Sequence, residues 1–104
     1  MSMDYNTRQK VFKRAFWMCE YPDCNKPATE IAHRIANTQE NHKLVKRILL
    51  EKYGIDVPLR TVRHAVIDNP YNLAASCREH NDYFNCGYNM NDVYTIIEQC
   101  KEVL

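Results

Sequence analysis

Two short-range pairs of metal-type ligands, Cys19 with Cys24 and Cys77 with His80, constrain this chain more than any other feature. Each pair is spaced to clamp one ion. Zinc takes four nitrogen or sulfur ligands in a tetrahedron, and such sites are commonly assembled from two local pairs that the fold brings together. The first pair lies in the polar stretch Cys19-Glu20-Tyr21-Pro22-Asp23-Cys24, which reads as a knuckle turn. The second, Cys77-Arg78-Glu79-His80, has the two-residue gap expected where a chain turns into a helix. The expected tetrad is therefore Cys19, Cys24, Cys77 and His80 around a structural Zn2+. A second set, with Cys86 in place of His80, would leave His80 free for other chemistry. Between the two pairs stand His33, inside an apolar run, and Asn72, just ahead of another.

With 104 residues the chain is expected to form one domain. A chain of this size buries roughly two thirds of its unfolded surface. Its core is modest, and a bound zinc can add on the order of 10 kcal/mol to folding. A content of 45% hydrophobic and 26% charged residues is ordinary for a soluble globule, and two glycines and four prolines do not suggest disorder. No apolar run approaches the roughly 20 residues of a membrane span, so no membrane partner is expected. The start, Met1-Ser2-Met3-Asp4, does not read as a signal peptide. Five cysteines is an odd count, where a disulfide scaffold more often shows an even one. The reading is a reducing, intracellular (cytoplasmic) setting, with disulfides as the alternative. Cys19, Cys24 and Cys77 are then ligands, Cys100 is core and Cys86 is unassigned.

The net charge of +1 gives no global signature of nucleic-acid binding. Its distribution is uneven. Residues 1–47 hold nine Lys/Arg and five Asp/Glu, a balance of +4, and residues 48–104 hold five and eight, a balance of −3.

Helical spacing predicts a first helix over residues 7–18, with Val11, Ala15 and Met18 on one stripe. A second is predicted over residues 40–53, with Leu44, Val45, Ile48 and Leu49 as its apolar face and Gly54 as its stop. Lys43, Lys46 and Arg47 lie off that stripe, where they can meet phosphate or simply face water. A last helix is predicted over residues 91–103, with Cys100 on its buried face. Residues 28–35 alternate as a strand, placing Ile31, His33 and Ile35 on one face and Glu30, Ala32 and Arg34 on the other. Residues 72–76 form a second short strand after the turn Asp68-Asn69-Pro70-Tyr71, able to pair with the first. Residues 78–85 can form a helix whose first turn carries His80. His42 and His64 have no partner spacing and are expected at the surface.

Taken in order, these segments resemble the HNH endonuclease family. The matching pieces are Cys19 to Cys24, Glu30-Ile31-Ala32-His33-Arg34-Ile35, Asn72-Leu73-Ala74-Ala75-Ser76 and Cys77-Arg78-Glu79-His80-Asn81. The resemblance covers about residues 19–85. It implies an α+β fold: a small ββα-metal core of the treble-clef type with a bound structural zinc. An N-terminal and a C-terminal helix flank that core, and a helical insertion over about residues 36–68 separates the strands. It implies a metal-dependent endonuclease hydrolysing phosphodiester bonds in nucleic acid, with DNA the favoured substrate. His33 falls on the position of the general base and Asn72 on the residue that holds the loop orienting it. Asn81 falls on a ligand to a catalytic Mg2+ or Mn2+. Ala32 departs from the pattern, since the family often has a metal-binding Asp or His there. Glu30 or Asp82 can replace that ligand.

The residue types suit the chemistry. An imidazole titrates near neutral pH and can take a proton from water. A divalent ion stabilises charge on the phosphate, and oxygen ligands suit magnesium. Arg34 can steady a phosphate, and Lys43, Lys46 and Arg47 can contact the nucleic-acid backbone. The competing reading is a catalytically silent treble-clef zinc module that binds nucleic acid or a protein partner. His33 with Asn81 favours the nuclease, and Ala32 favours the silent module. A plain zinc-stabilised protein-interaction domain is the third reading.

Overall fold

A computed structural model describes residues 4–87 and 89–104. Residues 1–3, most of the start read above as lacking an export signal, lie outside the described residues. Helix α1 (Tyr5–Arg14) turns Val11 and Phe12 inward. It stops short of the expected residue 18 because Phe16 and Trp17 take positive φ values of 53° and 62°. That conformation costs bulky residues about 1–2 kcal/mol each. Packing offsets it. The Trp17 N–H bonds to the Phe12 carbonyl at 2.9 Å, and the two rings stack 5.0 Å apart at an interplanar angle of 3°. The chain is thereby reversed into a hairpin over residues 17–28. Within it the Cys19 N–H bonds to Lys26 O and the Ala28 N–H to Trp17 O, both at 2.9 Å.

Strands β1 (Glu30–His33) and β2 (Leu73–Ser76) pair antiparallel, with Glu30 opposite Ser76 and His33 opposite Leu73. Both are shorter than expected. Asn72 belongs to the 3-10 turn Pro70–Asn72, and Ile35 bonds to the Asn72 side chain rather than to a strand. Ile31, Leu73 and Ala75 pack with Val11, Phe12 and Ala28 as a small core on one face of the sheet. On the other face Ala32 and Ala74 are buried, and Arg34 reaches over the Phe84 ring.

The insertion holds the larger core. Helix α2 (Gln39–Tyr53) begins where the Thr38 hydroxyl accepts the Asn41 N–H. It ends at Gly54, whose φ of 67° suits a glycine better than any other residue. The sequence predicted one helix in the insertion, yet a second follows. Helix α3 (Leu59–Val62) runs directly into a wide π turn over Arg63–Ile67. Val62, Ala65 and Val66 have helical spacing, but the wider turn shifts the register and brings Ile67 inward as well. These residues meet Val45, Ile48 and Leu49 of α2 and Val93, Ile96, Ile97 and Cys100 of helix α4 (Met90–Cys100). Cys100 is fully buried as expected, and that burial pushes its thiol up to about 12. Helix α4 gives way to a 3-10 turn at Lys101–Val103 instead of running on to residue 103. The helix expected over residues 78–85 is only the 3-10 turn Asn81–Phe84. Asn85 is extended, and the Cys86 N–H is captured by Arg34 O at 2.9 Å, which draws the chain away from a helical path. The result is an α+β fold of four helices and one two-stranded sheet among the described residues.

Asn72 joins the two cores. It is fully buried, its side-chain oxygen accepts the Ile35 N–H at 2.8 Å, and its amide donates to Ile35 O at 3.1 Å and Ile67 O at 2.8 Å. Asn72→Ala strands three backbone groups in the interior. It is expected to cost about 3–5 kcal/mol, read as a fall in the urea midpoint. A midpoint within about 1 kcal/mol of wild type would assign the junction to packing alone.

Candidate metal centre and the His33 cluster

The hairpin presents its cysteines through backbone geometry. Asp23 takes a φ of 64°, and the Cys24 N–H bonds to Tyr21 O at 3.0 Å, closing the knuckle. The hairpin then docks on β2. The Glu20 N–H bonds to Ala75 O and the Thr29 N–H to Ser76 O, both at 2.9 Å. The Glu20 carboxylate accepts the Ala75 N–H at 2.8 Å and the Arg14 guanidinium at 2.7 Å. Arg14 also donates to Leu73 O at 2.8 Å and Pro70 O at 3.0 Å. Helix α1, knuckle and β2 are thus tied together beside Cys77.

This docking brings Cys19, Cys24, Cys77 and His80 into one cluster whose ligand atoms all lie within 4.8 Å of one another. Cys77 Sγ is 3.3 Å from His80 Nδ1, Cys19 Sγ is 3.9 Å from the same nitrogen, and Cys24 Sγ is 3.9 Å from Cys77 Sγ. A tetrahedral ion with Zn–S and Zn–N bonds of standard length needs edges of about 3.6–3.8 Å. The cluster therefore fits a metal ion such as zinc. The expected tetrad is the one assembled. Cys86 lies apart, partly buried against the insertion core, where burial pushes its thiol up. All five cysteines are free.

The electrostatics suit a shared sulfur site. Burial raises the Cys19 thiol, but the N–H groups of Cys77 and Tyr21, with His80 and Cys24, outweigh it and lower it to about 7. The Lys26 N–H lowers the Cys24 thiol, but burial and the neighbouring Cys19 and Cys77 sulfurs outweigh that and leave it raised. Tyr21 stacks on the His80 ring, centroids 4.2 Å apart and 15° between planes. Lys26 pairs with Glu79 across the two ligand segments at the surface. The sequence reading missed Tyr21, Glu20 and Arg14. The available signal was their position in or beside the knuckle, since ligands need partners that fix their orientation.

His33 stands in a separate cluster. Its Nε2 lies 3.0 Å from Asp68 Oδ1, and the two side chains are 20% and 18% exposed. Arg63 Nε lies 3.7 Å from the other Asp68 oxygen. Burial raises the Asp68 carboxyl, but the His33 contact and the charges of His33, Arg63 and His42 outweigh it and hold it below the usual range. His42 was expected at the surface without a partner. It is instead partly buried, with Nε2 2.8 Å from Asn37 Oδ1. Burial and the nearby Arg63 charge depress its imidazole. His64 is exposed as expected. Asp68 was read only as a turn residue. Nothing in its spacing marks it, because 35 residues separate it from His33.

The other candidates are dispersed. The turn carrying Asn81 packs beside β1, where Arg34 lies 5.8 Å from the Phe84 ring centroid. By strand alternation this is the Ala32 face, whereas His33 shares the Ile31 face. Ala32 is 1% exposed and offers no donor. Lys46 is turned inward to Val57 O and Asp56, while Lys43 and Arg47 are exposed on α2.

Comparison with protein-family models, curated proteins and solved structures finds no match to this chain. No helix among the described residues is long and apolar enough to cross a membrane.

The purified protein is expected to carry about one metal ion per chain by elemental analysis. Cys77→Ser should release the ion and unfold the sheet by circular dichroism, while Cys86→Ser should leave the content unchanged. Because the ligands bind deprotonated, affinity against a competing chelator should fall as the pH drops below about 7. A metal-free protein that stays fully folded in chelator would count against the site.

Proposed function

We propose that the chain is an HNH-like, metal-dependent nuclease built on a treble-clef zinc core. The observation that carries this reading is the His33–Asp68 pair at the end of β1. A carboxylate against Nε2 fixes that nitrogen as the protonated one, leaving the Nδ1 lone pair to accept a proton. The ring is fixed yet partly open to solvent, which is what a base acting on water needs. In the proposed reaction His33 takes the proton from a water molecule as that water attacks the phosphorus, the P–O bond to the leaving sugar oxygen breaks, and that oxygen takes up a proton from solvent water. Asp68 holds the ring and stabilises the imidazolium. Asn72, which bonds to Ile35 just beyond His33, fixes the backbone that carries the base.

The tetrad of Cys19, Cys24, Cys77 and His80 is assigned to structural zinc, because three thiolates and one imidazole are a donor set zinc favours. A catalytic Mg2+ or Mn2+ supplies charge relief at the phosphate when bound. Asn81, the residue expected to hold it, packs beside the Ala32 face of β1 rather than the His33 face, and Ala32 offers no ligand atom. The protein's grip on that ion is therefore slight, and magnesium retains most of its own waters in such sites.

A second reading has its own support. The buried Ala32, with Arg34 laid over Phe84 on the same face, fits a treble-clef module that binds without cutting.

Plasmid nicking in magnesium or manganese separates the two. Wild type should nick. His33→Ala should fall about 100-fold or more with metal content and fold intact. Asp68→Asn, which removes the carboxylate but keeps the shape, should fall at least about tenfold. Absence of nicking with any divalent ion would leave the silent module, and full activity in His33→Ala would move the base elsewhere.

A further inference from the structure

The Asp68 side of the His33 pair opens onto a groove of about 800 Å3 running between α1 and α3, bordered by Lys10, Arg60, Arg63 and His64. A second depression of about 500 Å3 adjoins it, sharing Arg60 and Arg63 and ending at His42 and Gln39 of α2. Together they form one trough that passes Asp68, the partner of His33. Two acids line it: Asp68, already matched by His33 and Arg63, and the exposed Asp4 at the start of α1. Lys10 and Arg60 are exposed and stand on different elements. Amide and hydroxyl groups of Asn37, Gln39 and Thr61 fill the space between the charges.

We infer that this trough is the track for a nucleic-acid backbone, with Lys10 and Arg60 as phosphate anchors. The inference rests on the nuclease reading for the role of His33, but not for binding itself. It also relocates the contact surface. The sequence pointed to Lys43, Lys46 and Arg47, but Lys46 is tied to Asp56 and Val57. Arg60 comes from the half of the chain whose net charge is negative, so a count of charge along the sequence conceals it. Phosphate oxygens accept hydrogen bonds from lysine, arginine, amides and hydroxyls alike, and the trough offers all of these. A separate groove is lined by Tyr21, Tyr71, Tyr83, Phe84 and Arg34, whose rings offer bases a stacking surface.

The test is binding of a fluorescein-labelled DNA duplex, and of RNA of the same sequence, to the zinc-loaded protein without magnesium. Omitting magnesium separates binding from cleavage, so a silent protein that still binds through the trough sinks only the nuclease reading. Affinity should fall steeply with salt. Lys10→Glu with Arg60→Glu should weaken binding at least about tenfold and reduce the log–log salt slope by about 2, one contact for each residue. Each variant is checked for metal content and circular dichroism, and the single changes Lys10→Gln and Arg60→Gln should weaken binding in the same direction. The DNA and RNA arms show which backbone fits the trough better. The inference is overturned if wild type binds neither at low salt. It is also overturned if the double reversal leaves affinity and slope unchanged. Loss of binding in Tyr71→Ala or Tyr83→Ala with the double reversal silent would place the strand on the aromatic groove instead.

Discussion

The fold depends on bringing together two ligand pairs that lie far apart in the chain. Cys24 and Cys77 are separated by 53 residues and end with their sulfurs 3.9 Å apart. Closing a loop of that length costs entropy, though the cost grows only slowly with length. The core beside the site gives little in return, since beyond Val11, Phe12, Leu73 and the partly buried Ile31 it is built from the alanines Ala15, Ala28 and Ala75. A metal ion at the tetrad would supply the missing stabilisation. The Arg14–Glu20 contact does part of that work from the polar side, bonding helix, knuckle and strand through one carboxylate.

The larger core lies in and around the insertion and is built from ordinary aliphatic packing. The two regions meet at the buried Asn72 amide, which bonds to backbone on both sides of the insertion. The insertion is therefore fastened to the sheet at its two ends, at Ile35 and Ile67. This also explains how Asp68 reaches His33. The π turn Arg63–Ile67 ends at Asp68, and Asn72 fixes Ile67 immediately before it.

Much of this was legible in the sequence, and the rest was hidden for identifiable reasons. The four metal-type ligands were found because local spacing encodes each pair. Helix α2 was found because a clear apolar stripe runs to a stop at Gly54, and β1 was found from alternation and β2 from the turn before it. The early end of α1 was missed because left-handed φ values at Phe16 and Trp17 have no propensity signal and rest on the ring stack with Phe12. Helix α3 was missed because it is short and continues into a turn of a different period. The helix expected around His80 was lost to a long-range hydrogen bond from Cys86 to Arg34. Asp68 and the Arg60 side of the trough were invisible because they depend on tertiary placement, where spacing along the chain carries no information.

The reversal at Trp17 has a practical corollary. The chain has a single tryptophan, and it sits two residues ahead of Cys19 at the neck of the knuckle hairpin. Its indole rests on Phe12 while remaining 47% exposed. Opening of the knuckle would release the ring from that stack, whereas motion within the distant insertion core would leave it undisturbed. Tryptophan emission is thus a built-in optical gauge of one half of the molecule, able to tell loosening at the sulfur cluster from melting of the aliphatic core.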